Sequence, residues 1–371
     1  MRIGIDARIL SDKNYAGIGQ YLYEIINRWK IKYPNNEYYL FSRKDIFLKD
    51  EFPDNWHVIN EPWIIDNRKM WYIFKLPQLI KKEKIDVFWG PNFSLPRKVN
   101  GVKYVVTVHD LAIYKYKRIG ELKNTILIKL FGKHDCKKAK RIIAVSNATA
   151  KDVKEIFGVS DKKIDMCYNG VEDEVVLEYD ETNIRNIIKK NAEYILFIST
   201  IEPRKNIERL IDGYERYRDE FKNESDKLVI AGKRGWNCDG IYSRINKSSY
   251  ARDIILTGYV NIDEKRYLYK NASCFIYPSL YEGFGIPVLE AFSYGVPVIT
   301  TNVSSLPEVG GNAAFYLQEG DNALKMAEMI ENIKKMSSDE KDILAVKMKE
   351  QTRKFSWNKC ADETMKVIEK V

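Results

Sequence analysis

Cysteine is scarce in this 371-residue chain, and where it occurs it is unpatterned. Cys136, Cys167, Cys238, Cys274 and Cys360 are odd in number, widely spaced and without a CxxC. That excludes a disulfide framework, and a reducing cytoplasm is the compartment expected. Histidine is scarcer still, and His57, His109 and His134 lack metal-ligand spacing. No apolar run approaches the roughly 20 residues that cross a bilayer. The opening Met1-Arg-Ile-Gly-Ile-Asp6 reads as a strand carrying charges, not as a signal peptide. There is no Asp-x-Asp to seat a divalent cation, and no metal is expected. A complete GxGxxG is also missing: Gly17-Ile-Gly19 runs on into Gln20-Tyr21-Leu22, which disfavours a nicotinamide dehydrogenase.

What remains is an ordinary globular composition, 45% hydrophobic and 30% charged, in a length that suits two domains. The net charge of +9 is uneven. Residues 1–180 carry 32 lysines and arginines against 24 acidic residues, whereas the remainder carries 29 against 28. A basic first half implies an anionic surface or substrate, such as lipid headgroups. Nucleic acid is not expected, since the basic residues are interspersed through helix and strand patterns and form no recognition motif.

Short apolar runs alternate with helical spacing along the whole chain. Strands are read at Arg2–Ile9, Glu37–Phe41, His57–Asn60, Asp86–Trp89, Lys103–Val108, Arg141–Val145 and Lys163–Tyr168. Helical stretches lie between them, including Tyr21–Trp29, the Pro77-containing Trp71–Lys84, the basic Glu121–Lys140, and Asn147–Phe157 with Ser146 as N-cap. An acidic, aperiodic segment near 172–182 reads as a linker. The alternation then restarts with strands at Tyr194–Ser199, Lys227–Gly232, Ile254–Val260, Cys274–Ile276 and Pro297–Thr301. Repeated strand–helix units predict α/β domains with parallel sheets and right-handed crossovers.

Four stretches carry chemistry. The strand ending at Tyr277 leads through Glu282 into the turn Gly283-Phe284-Gly285, then Ile286 and Pro287, which suits a first helical turn. Free N–H groups at a helix start attract an anion, and glycine admits close approach to the backbone. Glu282 and Glu290 are poor phosphate ligands but good acceptors for sugar hydroxyls. The stretch therefore suits a molecule with both a diphosphate and several hydroxyls. Arg204 and Lys205, between a strand and a helix, suit the same diphosphate as a planar fork and a point charge. Gly17 and Gly19 form a second strand–glycine–helix turn, equally readable as a plain tight turn. His109 stands at the carboxyl end of Lys103–Val108, where ligands of open α/β sheets bind.

Glu282-x7-Glu290 spanning Gly-Phe-Gly-x-Pro resembles the acidic signature of family-4 retaining glycosyltransferases. Tyr277-Pro-Ser279 before it, Ala291-x(3)-Gly295-Val-Pro-Val298 after it, and Pro203-Arg-Lys-Asn206 match as well. The resemblance implies the GT-B fold, two doubly wound Rossmann-like domains facing a cleft. Residues 1–180 would form an acceptor-side domain, with a helix at 356–371 packing back on it. Residues 181–355 would bind the nucleotide sugar. It further implies metal-independent transfer of a hexose from a nucleotide diphosphate sugar to a glycan or lipid-linked glycan. Arg204 and Lys205 would meet the diphosphate. Glu282 would hold sugar hydroxyls, and Glu290 the ribose. Gly283, Phe284, Gly285 and Ile286 would line the donor. Backbone groups at Gly258 and Val260 would touch the base. Gly17 and Gly19 would face the diphosphate and acceptor, and His109 the transferring sugar. The Gly17-Ile-Gly-Gln-Tyr21 and His109-Asp-Leu111 contexts are similar to bacterial mannosyl- and rhamnosyltransferases of cell-surface polysaccharides. GDP-mannose is thus the first donor expected, a UDP- or dTDP-sugar the second, with peripheral contact to an anionic inner membrane face. A nucleotide-sugar epimerase and a non-catalytic basic binding protein are the alternatives.

Overall fold

The computed structural model describes the chain except residues 14–16, 63–66, 68–69, 117–121, 173–179, 181 and 189–192, and except the side chains of 122–128, 130 and 186. The chain divides into two compact units, Met1–Gly170 with Trp357–Val371, and Val171–Ser356. Most of the segment read as a linker, 172–182, lies outside the described residues.

The first unit holds a seven-stranded, wholly parallel sheet: β1 (Arg2–Asp6), β2 (Glu37–Ser42), β3 (Trp56–Asn60), β4 (Val87–Gly90), β5 (Lys103–Val108), β6 (Arg141–Ala144) and β7 (Ile164–Met166), in the order β3-β2-β1-β4-β5-β6-β7. The second holds six parallel strands: β8 (Tyr194–Ile198), β9 (Lys227–Ala231), β10 (Ile254–Gly258), β11 (Cys274–Tyr277), β12 (Val298–Thr301) and β13 (Ala314–Leu317), in the order β10-β9-β8-β11-β12-β13. Strands such as Tyr194-Ile-Leu-Phe-Ile198 are apolar at every position because helices cover both faces of a parallel sheet. In each unit the order reverses beside its first strand, at β1/β4 and at β8/β11. Crossovers leave in opposite directions there, and a crevice opens at the carboxyl ends.

Three elements depart from the sequence reading. The strand read to Ile9 stops at Asp6. Its carboxylate accepts the Arg8 N–H at 3.3 Å and its Nε at 2.8 Å, turning the chain into a 3-10 helix at Arg8–Ser11. Trp71–Lys75 is a π-helical turn running into the α-helix Leu76–Lys82. Pro77 lacks an N–H and its ring crowds the preceding turn, which the wider turn accommodates. β13 forms at Ala314–Leu317, where its half-buried residues give no alternating signal.

Other expectations match closely. Ser146 caps the helix Asn147–Phe157, its Oγ accepting the Thr149 N–H at 3.0 Å. The basic helix spans Leu122–Lys138 with Phe131 exposed, while Ile126, Leu127, Ile128 and Leu130 are outside the described side chains. Among the described residues no helix is long and apolar enough to cross a membrane.

The last helix, Trp357–Glu369, belongs to the first unit, lying along the helix Ile18–Lys32. The fully buried Trp29 donates its indole N–H to the Ala361 carbonyl at 2.9 Å and packs on Trp89 with centroids 5.1 Å apart. Lys32 and the Tyr33 hydroxyl both reach Asp362, at 2.8 and 3.1 Å. Trp29→Phe keeps most of the packing and removes only this hydrogen bond, the Ala361 carbonyl retaining its partner within the helix, so urea denaturation should show a loss of about 0.5–1.5 kcal/mol.

Candidate functional site

The second unit's switch point brings together the residues that follow β8 and β11. After β8, Pro203–Lys205 forms one 3-10 turn, and Asn206 in the left-handed region (φ 56°) starts the helix Ile207–Glu220. After β11, Gly285 (φ 112°, ψ 43°) turns the chain into the helix Ile286–Ser293, with Pro287 in its first turn. A side chain at Gly285 would be strained in that conformation and would meet Leu306 Cδ2 at 3.0 Å. Among the described residues no side chain caps this helix, so its first N–H groups present partial positive charge. Ser305 fixes the turn, its hydroxyl donating to the carbonyls of Glu282 and Phe284 at 3.0 and 2.7 Å. The Ser304 hydroxyl accepts the Glu282 N–H at 2.9 Å, and Phe284 is buried edge-on against Phe355.

Glu282 is the hub, only 7% exposed. Its Oε1 accepts from Lys205 Nζ at 2.7 Å and its Oε2 from Arg204 Nη1 at 2.9 Å. Lys205 is 5% exposed and also donates to the Tyr277 hydroxyl at 2.6 Å. Arg204 donates to the Tyr281 carbonyl at 2.7 Å and, through Nε and Nη2, to Glu202 Oε1 at 3.0 and 2.7 Å. The four formal charges cancel. Burial by itself would raise the Glu282 carboxyl, but Lys205 and Arg204 outweigh it and hold the group at about 2. Burial likewise opposes the Lys205 ammonium, yet Glu282 keeps its pKa above the ordinary value.

Glu290, one turn into its helix, is held apart from this cluster. Its Oε1 accepts from Lys265 at 2.6 Å and its Oε2 from the Tyr269 hydroxyl at 3.1 Å. Lys265 and Tyr269 are one turn apart on the helix Ile262–Asn271, which explains their convergence on one carboxylate. Gly258 ends β10 at φ 72°, exposed, and its carbonyl accepts the Gly232 N–H at 2.8 Å; Val260 follows, half-buried.

In the first unit, Gly17 precedes the helix Ile18–Lys32 at φ 54°, and Gly19 is buried in its first turn. His109 follows β5 and lies edge-on to Tyr21, centroids 4.6 Å apart. Its Nε2 lies 2.7 Å from the Pro91 carbonyl, which accepts a proton from that nitrogen and leaves Nδ1 as the acceptor of the neutral ring. Burial lowers its pKa, favouring the neutral form. At the β1/β4 switch point, Arg8 grips Asp6 at 2.7 Å and lies 3.7 Å over the Tyr72 ring.

Arg204, Lys205 and Glu282 are thus brought into direct contact, Glu290 has its own partners, and Gly17, Gly19 and His109 belong to the other unit. Glu202, Tyr277, Trp236, Lys265 and Tyr269 were not foreseen. Glu202 and Tyr277 lie within or beside the recognised motifs, but nothing local tells that their side chains turn inward. Among the described residues no three His, Cys, Asp or Glu side chains group as a metal site.

The burial of this cluster has a measurable consequence. Glu282→Gln leaves the buried Lys205 without a carboxylate and Arg204 with Glu202 alone, and should destabilise the protein by about 3–5 kcal/mol; Lys205→Met, which leaves Glu282 with Arg204 alone, should act in the same direction. The double variant should lose less than the sum of the two, read by urea denaturation. The folded carboxyl sits below its ordinary 4.5. Its stabilisation is therefore complete above that value and fades as pH falls toward 2, so the wild type's margin over Glu282→Gln should narrow below about pH 5.

Two family models match the chain: "Glycosyltransferase Family 4" over residues 15–175 and "Glycosyl transferases group 1" over residues 179–355. The O-antigen chain mannosyltransferase B of Escherichia coli is 27% identical over 368 residues, covering 94% of this chain and 95% of that protein. Among solved structures, sucrose-phosphate synthase from Thermosynechococcus elongatus superposes with a TM-score of 0.76 at 16% identity, covering 100% of this chain and 98% of the other. WaaG, a glycosyltransferase involved in lipopolysaccharide biosynthesis, gives 0.73 at 14% identity, with 99% of each chain covered. With two Rossmann-like sheets, both family models matched in tandem and this kinship, the chain belongs to the GT-B glycosyltransferases and is related to the bacterial O-antigen mannosyltransferases.

Proposed function

We propose that this protein transfers a hexose, with retention of anomeric configuration, from a nucleotide diphosphate sugar to a hydroxyl of a glycan or lipid-linked glycan in cell-surface polysaccharide synthesis. The observation that carries the reading is the buried Arg204–Lys205–Glu282 cluster beside the N-terminus of Ile286–Ser293. Lys205 is already desolvated and both cations are held in place, so their charge stands ready when that of the diphosphate grows. The similarity to a protein named as a mannosyltransferase along nearly its whole length favours GDP-mannose as donor; a UDP- or dTDP-sugar comes second.

In this reading the bond between the anomeric carbon and the diphosphate oxygen breaks, and its electron pair stays on the leaving nucleotide. Arg204 and Lys205 balance that charge with no metal. The acceptor hydroxyl forms the new bond on the same face, and its proton passes to the departing phosphate oxygen. No role as base is assigned to Glu282, since the departing phosphate oxygen takes the acceptor's proton. Instead, a diphosphate competes for Arg204 and Lys205, and the freed Glu282 oxygens accept hydroxyl protons of the sugar. Glu290, oriented by Lys265 and Tyr269, suits the vicinal hydroxyls of the ribose. Gly283, Phe284, Gly285 and Ile286 offer backbone groups to the donor, and Gly258 and Val260 do so to its base. Gly17 and Gly19 serve the diphosphate and the acceptor. The neutral His109, with Nδ1 available as acceptor chemistry, serves the transferring sugar. The basic first half suits peripheral contact with an anionic membrane face.

A thermal-shift panel of GDP-, UDP- and dTDP-sugars tests the donor, with GDP-mannose expected to protect most. Product analysis should show glycosylated acceptor, and turnover should survive EDTA. Protection by no nucleotide sugar would leave only a binding protein, and isomerisation of donor alone would make it an epimerase. Arg204→Ala should lower kcat/KM by about 10²–10³.

A further inference from the structure

Glu202 plays no part in the reading above, yet it is among the best-satisfied carboxylates of the second unit. It is 8% exposed, and both oxygens are occupied. Oε1 takes Nε and Nη2 of Arg204, and Oε2 takes the indole N–H of Trp236 at 2.7 Å. Three nitrogens thus fix the carboxylate from two sides. A guanidinium held through Nε and Nη2 has its plane and direction set, and Nη1 points at the Tyr281 carbonyl and Glu282.

Trp236 reaches Glu202 because the chain after β9 is zipped to the chain after β8. Ile201 N–H donates to the Lys233 carbonyl and Gly235 N–H to the Ile201 carbonyl, each at 3.0 Å. Ile201 and Arg234 also form a parallel bridge. The contact is too close for side chains. A Cβ at Gly235 would lie 2.7 Å from the Ile201 carbonyl oxygen, and one at Gly232 (φ 146°) only 1.8 Å from that of Ser199. Two glycines therefore let the loops meet, the meeting places Trp236 on Glu202, and Glu202 aims Arg204.

We infer that Glu202 and Trp236 are positioning residues that hold the Arg204 guanidinium in the orientation in which its Nη1 edge, bonded here to Glu282 and the Tyr281 carbonyl, is presented to the donor diphosphate. This rests on the reading that Arg204 binds that diphosphate. Neither residue touches the substrate. They act by denying Arg204 its other rotamers, so the entropy of ordering the fork is met by the fold before the donor arrives.

The measured quantity is the affinity ratio of nucleoside diphosphate to nucleoside monophosphate, by calorimetry, using GDP with GMP or UDP with UMP, whichever base binds tighter. A base or ribose contact cancels in the ratio, and a general loss of stability does not move it. Glu202→Gln should lower the ratio about tenfold, the equivalent of one charge-assisted hydrogen bond, and raise the donor KM more than it lowers kcat. Trp236→Phe keeps an aromatic ring and removes only the N–H; it should shift the ratio the same way by a smaller factor, and it decides the matter should Glu202→Gln fail to fold. In an Arg204→Ala background, Glu202→Gln should change the ratio no further. If Arg204→Ala lowers the ratio while Glu202→Gln and Trp236→Phe leave it unmoved and only lower Tm, the positioning role is overturned and the donor reading stands. If Arg204→Ala itself leaves the ratio unmoved, the donor reading falls and takes this inference with it.

Discussion

Cations cannot be withdrawn from water side by side unless an anion is withdrawn with them, and that constraint shapes the second unit. Lys205 and Arg204 lie next to each other in one turn, and Lys205 is almost wholly buried. Glu202, in the same turn, balances one of them, and the other needs a carboxylate from another strand. Glu282 supplies it from the end of β11, and Glu202 steadies Arg204 from the other side. The neutral cluster is stable as it stands, and its members are also the groups that a charged diphosphate and a polyhydroxylated sugar would require. In the proposed reading, stability and recognition draw on the same ion pairs, so substitutions here are expected to affect both.

The first unit solves a similar problem differently. At its switch point one cation meets one anion: Arg8 grips Asp6 and rests on Tyr72. The rest of that region is aromatic and closely packed, with Tyr21 against His109 and Trp89, and Trp29 against Trp89 and tied to the last helix. His109 is thus fixed by an edge-on contact with the Tyr21 ring and a carbonyl on its Nε2, and burial favours its neutral form. One unit presents preorganised charge, the other a preorganised neutral ring beside packed aromatics.

Much of this was legible beforehand. Strands buried on both faces show as apolar runs, so Lys103–Val108, Tyr194–Ile198 and Cys274–Tyr277 could be placed from composition of the run alone. Pro287, Ser146 and the glycine turn at Gly285 announce their positions because backbone chemistry at helix starts is local. Where neighbours in space decide, the reading stopped short. The end of β1 depends on a side chain turning back on the chain, the π turn at Trp71–Lys75 on how Pro77 is accommodated, and β13 on pairing with β12. Lys265 and Tyr269 are common residue types in unexceptional surroundings, and only packing turns them toward Glu290.

By itself the sequence determined the alternation of strands and helices, the motif residues and the absence of a complete dinucleotide fingerprint, since each of these depends on residues a few positions apart. Which strands lie beside which was decided only in three dimensions, and with it the meeting of Arg204 and Lys205 with a glutamate 77 and 78 residues further along. The same holds for Trp236 on Glu202 and for Trp29 on Ala361. The physical reason is common to all: burial and charge compensation act between surfaces, and surfaces exist only once the chain has folded.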